Sequence, residues 1–137
     1  MSHSIFVVRE PVGYVRMTRD SKWSKSAARY FKFKQDVAQS AKMVGMRLPL
    51  VATRRAPVMV ITACSFVNMR SPDPGNVQKA VEDALFYKSE GGDKHVAGLY
   101  WPAEYGSDIN EVEIMVMKWH DPALDDLRNA ILRLATT

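Results

Sequence analysis

The order of apolar and polar positions divides the chain into strands and helices before any other property is considered. Ile5-Phe6-Val7-Val8 is a short apolar run ended by Arg9-Glu10-Pro11, which predicts a strand. Residues 11–23 hold Pro11, Gly13, Arg16, Arg19, Asp20 and Lys22 and predict a loop or irregular hairpin. Ser24 can cap a helix whose stripe runs through Ala27, Phe31, Lys34, Val37, Ala38, Ala41 and Val44. Tyr30 and Phe33 broaden that stripe, Phe31 is assigned to the core, and Gly45 is the expected stop. A basic connection from Leu48 to Pro57 contains Arg54-Arg55. Val58 to Val67 is the longest apolar run, and its β-branched content predicts a central strand covered on both faces.

Ser71-Pro72-Asp73-Pro74-Gly75 is a strong turn signal. The helix after it places Val77, Ala80, Val81, Ala84 and Leu85 on its buried side. Ser89-Glu90-Gly91-Gly92 predicts a loop, His95 to Trp101 a strand, Pro102 to Asn110 a turn region, and Val112 to Lys118 a strand. Asp121-Pro122 opens a last helix with Leu124, Leu127, Ile131 and Leu134 as its stripe. The order β-α-β-α-β-β-α predicts a single α+β (mixed α/β) domain, a mixed sheet with helices packed on it.

Composition narrows the class. The chain has 137 residues, of which 47% are apolar and 25% charged, as in ordinary folded domains. No apolar run reaches the ~20 residues of a bilayer span, and Met1 to Ile5 lacks the pattern of a signal peptide. A single cysteine, Cys64, excludes internal disulfides and cysteine-rich zinc sites and is expected as a buried thiol in a reducing cytoplasm. Charge is uneven. Residues 1–55 carry twelve Lys and Arg against three acids, whereas acids exceed bases in the remainder. That asymmetry points to a polyanion partner or to a solvated basic helix face. Lys25, Arg29, Lys32 and Lys42 occupy such a face, and the aromatics between them could stack on nucleobases if they were not core.

The segment from Pro72 to Leu85 carries the candidate chemistry. Asn76, Lys79 and Asp83 share one helix face, opposite the apolar stripe, with Asp73 just before them. Hard oxygen donors of this kind suit Mg²⁺ or Mn²⁺, and a lysine nearby can steady phosphoryl charge. The same residues also make an ordinary helix start, with Asp73 as cap, Pro74 at the first position, and Lys79 and Asp83 as an exposed pair. His3, His95 and His120 have no metal-ligand spacing, and no glycine-rich phosphate motif is present.

Pro72, Asp73, Asn76, Lys79, Asp83, Ala84 and Leu85 resemble the signature P-D-x-D-N-x-x-K-x-x-x-D-A-L of the RusA-like Holliday-junction resolvases. Tyr87-Lys88 and Asp93-Lys94-His95-Val96 are similar to the Tyr-Lys stretch and the later Asp motif that family members carry after the signature. Pro11 to Arg16 with Arg19 loosely resembles the loop before the family's basic helix, so the likeness spans about residues 5–118. It implies a homodimeric, Mg²⁺-dependent endonuclease (Mn²⁺ as substitute) that resolves four-way DNA junctions in a bacterial or phage-infected host cytoplasm, with no membrane and no organic cofactor. Carried over by position, Asp73, Lys79 and Asp93 are catalytic, and Asp73, Asp93, Asp83 and Glu90 are metal ligands. Asn76 supports the cluster. Arg16, Arg19, Lys22, Arg29 and Lys32 are expected to contact DNA. Gly75 and Gly92 stand where the family has acids, which leaves a second reading open: a dimeric branched-DNA-binding protein that does not cut.

Overall fold

The computed structural model describes residues 3–14, 25–86, 95–118 and 122–136. Its elements are β1 (His3–Arg9), α1 (Lys25–Met43), β2 (Val58–Phe66), α2 (Pro74–Leu85), β3 (Val96–Tyr100), β4 (Glu104–Tyr105), β5 (Glu111–Lys118) and α3 (Pro122–Thr136). The domain is α+β, as expected. β1 and β2 each pair antiparallel with β5, and β2 pairs parallel with β3, giving the order β1-β5-β2-β3.

β4 falls within the stretch expected as a turn region. It pairs with β2 beyond β3, at Ser65 and Phe66, and so prolongs the same edge. Pro102, between them, has no N–H to give to a ladder, and the edge strand is split there.

Period-two alternation sorts the sheet into a closed and an open face. Val60, Thr62, Cys64 and Phe66 of β2, Val112, Ile114 and Val116 of β5, and Phe6 and Val8 of β1 are buried under α1 and α2. Among the described residues, the opposite face has a small cluster, Met59 and Met117, with Ile61, Leu99, Met115 and Leu127 packed on it. Among the described residues, β2 is therefore central but fully covered on one face alone. The stripe expected on α3 is a second correction. Leu127 reaches the small cluster, yet Ile131 is 48% and Leu134 77% exposed.

α1 buries Ala27, Tyr30, Phe33, Val37 and Ala41. Phe31, expected in the core, is 43% exposed instead. Spacings of three and four from Ala27 can pass through Tyr30 as well as Phe31, and the line through Tyr30, Phe33 and Val37 is the one that faces the sheet. Gly45 ends the helix as expected. With φ of 91° it takes the left-handed conformation, while Met46 N–H donates to Ala41 O and Gly45 N–H to Lys42 O, each at 3.0 Å. Ser24 and Asp121, the expected caps of α1 and α3, lie outside the described residues.

α2 buries Val77, Ala80, Val81, Ala84 and Leu85 as expected, and also Gln78. Gln78 is the polar tie between helix and sheet. Its amide donates to Val60 O at 3.0 Å and its carbonyl accepts from the Thr62 hydroxyl at 2.5 Å. Burying an amide and a hydroxyl is tolerated because each has a partner.

Candidate functional site

β2, α2 and β3 form a β-α-β unit with parallel strands, so α2 begins at the carboxyl ends of β2 and β3. This is the end of such a unit where ligands are ordinarily met. Asp73 caps α2 in an extended conformation, φ −64° and ψ 130°. Its Oδ1 accepts from Gly75 N–H at 2.7 Å and from Asn76 N–H at 3.3 Å. Asp73 is exposed, and among the described residues its Oδ2 takes no hydrogen bond. The helix-start reading of Asp73-Pro74 is thus realised, with Pro74 in the first turn.

Two side chains approach Gly75 closely. A β-carbon there would lie 3.1 Å from the Tyr100 hydroxyl oxygen and 3.1 Å from Asp73 Oδ1. Tyr100, at the end of β3, therefore closes over the first turn of α2 at the position where the resolvase signature carries an acid. Gly13 permits a second close approach: a β-carbon would lie 3.2 Å from Asn76 Cβ. With Gly13 so placed, Tyr14 N–H donates to Asn76 O at 3.0 Å. The chain enters the stretch holding Arg16, Arg19 and Lys22 only two residues after this anchor.

The polar face of α2 runs on into an aromatic strip. Lys79 Nζ sits 4.7 Å from the centre of the Tyr14 ring, a cation–π arrangement. Tyr14 meets Tyr30 edge to face at 5.9 Å. The Tyr30 hydroxyl donates to Asp83 Oδ2 at 3.0 Å. Burial, with the Asp83 carboxylate adding to it, pushes the Tyr30 phenol well above its ordinary range. Tyr14 and Tyr100 flank the first half of α2 and Tyr30 its second half, and none stands out as a site residue from the sequence. The β-α-β order would have pointed to Tyr100, because it brings the end of β3 beside the start of α2.

The expected metal ligands do not all converge. Asp73 and Asp83 are separated by about 15 Å of helical rise, too far to share one ion. Asp73 stays at the start of α2, whereas Asp83 lies near its end and is bonded to α1. Asp93 and Glu90 lie outside the described residues, as do Arg16, Arg19 and Lys22. The bounding residues of that connection, Phe86 and His95, belong to the end of the β-α-β unit opposite Asp73. Among the described residues, no three His, Cys, Asp or Glu side chains group as a metal ion would require. These residues by themselves do not fit a Mg²⁺ centre.

Of the expected DNA contacts on α1, Arg29 and Lys32 are both exposed. Lys32 makes a 2.8 Å ion pair with Asp36, one turn on, for which a phosphate would have to compete. No helix among the described residues is long and apolar enough to cross a membrane. No protein-family model matches the chain, and no curated protein matches its sequence.

Proposed function

We propose that this chain is a branched-DNA-binding protein that acts as a homodimer and holds four-way junctions without cutting them. The observation that carries the reading is the anchoring of Tyr14 on Asn76. It sets Tyr14, the last described residue before Arg16, Arg19 and Lys22 in the sequence, on Asn76, which matches the resolvase signature. Lys79 supplies a cation on α2, and Arg29 is a further exposed cation on α1, where Lys32 is already paired with Asp36. Such contacts hold phosphates and position DNA without reading bases. A two-fold dimer matches the symmetry of a four-way junction. The open sheet face, with Ile5 at 46% and Val7 at 50% exposure, leaves apolar surface for a second copy. The absence of cutting is supported by Gly75, packed under Tyr100 in place of an acid, and by the separation of Asp73 from Asp83.

A second reading is a Mg²⁺-dependent junction endonuclease, in which Asp73 is the one expected ligand at the start of α2 and Lys79 lies on the same helix. It is favoured by the exposed Asp73 carboxylate, whose Oδ2 takes no hydrogen bond among the described residues. One experiment separates the two. The protein is incubated with a synthetic four-way junction and Mg²⁺ or Mn²⁺, and gel shift and strand nicking are scored separately. A shift without nicks is expected. Nicks that disappear in Asp73→Asn, with the shift retained, would replace the binding reading with the nuclease. Asparagine caps a helix as well as aspartate does, so loss of nicking would not reflect loss of fold. Failure to retard any junction at low salt would end both readings.

A further inference from the structure

We infer that the groove between α1 and α2 is a stacking site for an unpaired DNA base, with Phe31 as its platform. The groove encloses about 510 Å³ and is bordered by Phe31, Lys34, Gln35, Lys42, Pro49 and Asp83. That volume falls within the ~300–1,000 Å³ range of small-molecule sites. Phe31 is 43% exposed on a helix whose apolar line, Ala27, Tyr30, Phe33, Val37 and Ala41, is buried without it. Phe31 stands outside that sheet-facing line, and its ring meets Tyr30 at 6.1 Å between centres.

Its neighbours fit a nucleotide. Lys34 Nζ lies over the Phe31 ring at 5.2 Å from its centre and over Tyr30 at 4.6 Å, which places a cation against one side of the platform and leaves the other side to a base. Lys42 lies two turns further along α1 on the same groove. Two cations spaced along a helix beside one exposed ring suit a single strand, whose backbone runs past the cations while a base leaves the stack for the ring. Gln35 and Asp83 can meet polar groups on a base edge. Among the described residues Asp83 is the single acid that borders the groove, against Lys34 and Lys42, so the groove keeps an excess of positive charge toward phosphate. A duplex does not offer this contact, because its bases are paired and stacked.

This inference rests on the reading of the chain as a DNA-binding protein and adds what it binds at a branch: unpaired nucleotides. The test is a titration with a single-stranded oligonucleotide carrying one 2-aminopurine, alongside a fully paired four-way junction. Wild-type protein is expected to quench the 2-aminopurine on binding. Phe31→Ala should abolish the quench and weaken single-strand binding about tenfold. Phe31→Trp should restore both, and junction affinity should change less than twofold. Lys42→Gln should lower the slope of log K on log salt by about 0.7 for the single strand. Equal quenching and affinity in wild type and Phe31→Ala, with junction binding intact, would overturn the inference alone. Phe31-dependent quenching in a protein that ignores four-way junctions would overturn the junction reading and leave the stacking site standing. Failure to bind either DNA would overturn both.

Discussion

The two faces of the sheet differ in how completely they are covered. Beneath α1 and α2, Val60, Phe66, Val112 and Ile114 are almost wholly removed from water and join the aromatic rings of Tyr30 and Phe33 in one continuous core. On the other face, β2 and β5 offer Ile61, Ala63 and Met115 to a recess of about 560 Å³ edged by Trp101, Glu111 and Glu113. α3 reaches that face through Leu127 and leaves Ile131 and Leu134 exposed. The comparison shows where stability and recognition can separate. The closed face holds the fold, and substitutions on the open face and at the start of α2 can alter binding at little cost to it.

The largest expected effect tests that division. Phe33→Ala should cost about 3–5 kcal/mol in urea denaturation, because it empties a fully buried aromatic position. Ile131→Ala, on the exposed part of α3, should shift stability by no more than about 0.5 kcal/mol in the monomer. Similar costs for the two would show that the open face is closed in solution by another surface.

Next in size is the polar tie within the closed face. Gln78→Ala should cost about 1–3 kcal/mol, since the buried Thr62 hydroxyl loses its partner. Thr62→Val in the same background should then cost less than it does in wild type. Additive losses would mean that the two residues do not act as one unit.

Titration probes the same face. Burial raises the Cys64 thiol from its ordinary value near 9 to about 11. The folded state keeps the proton that the unfolded chain releases. The stability associated with the neutral thiol is therefore present in full below about pH 9 and is lost as pH rises through about 11. The Tyr30 phenol is raised as well, by burial first and then by Asp83, so it acts in the same direction at still higher pH. Denaturation midpoints should fall between pH 9 and 11, and Cys64→Ala should flatten part of that decline. A flat profile in wild type would show that water reaches Cys64.

The smallest effect is expected at Gly75. Its backbone is not left-handed, and an acid in the first helical turn gains ~0.3–1 kcal/mol from the helix dipole. Against this, a β-carbon meets the Tyr100 hydroxyl at 3.1 Å, so the half-exposed ring must give by a few tenths of an ångström. Gly75→Asp should hold the melting temperature to within a few degrees. Under the nuclease reading it should also raise nicking at low Mg²⁺. A large drop in melting temperature would show that Tyr100 cannot yield and that Gly75 is needed to fit it.

Much of this architecture was legible along the chain because it is written in local chemistry. Asp73-Pro74 names the start of α2, Gly45 the end of α1, and the apolar run from Ile5 to Val8 a strand. The buried side of α2 followed from spacing alone. The candidate site was legible in part. Asp73 and Asn76 do stand at the start of α2 and Lys79 at its middle, but Asp83, on the same helical face, lies about one turn beyond Lys79 and is bonded to α1. Similarity to a signature does not measure distance along an axis.

Local pattern therefore determined which elements form, where they stop, and which side of α2 is apolar, because caps, turns and periodicity act over a few residues. Only the tertiary structure decided the rest. It chose Tyr30 and Phe33 over Phe31 for the core, since flanking aromatics leave the direction of a stripe uncertain by about one residue, or 100° of helical rotation. It set Tyr100 over Gly75 and Tyr14 on Asn76, which are contacts between distant parts of the chain that no local period encodes. It also left one sheet face open, because how far α3 covers that face depends on where the helix packs and not on how apolar its stripe is.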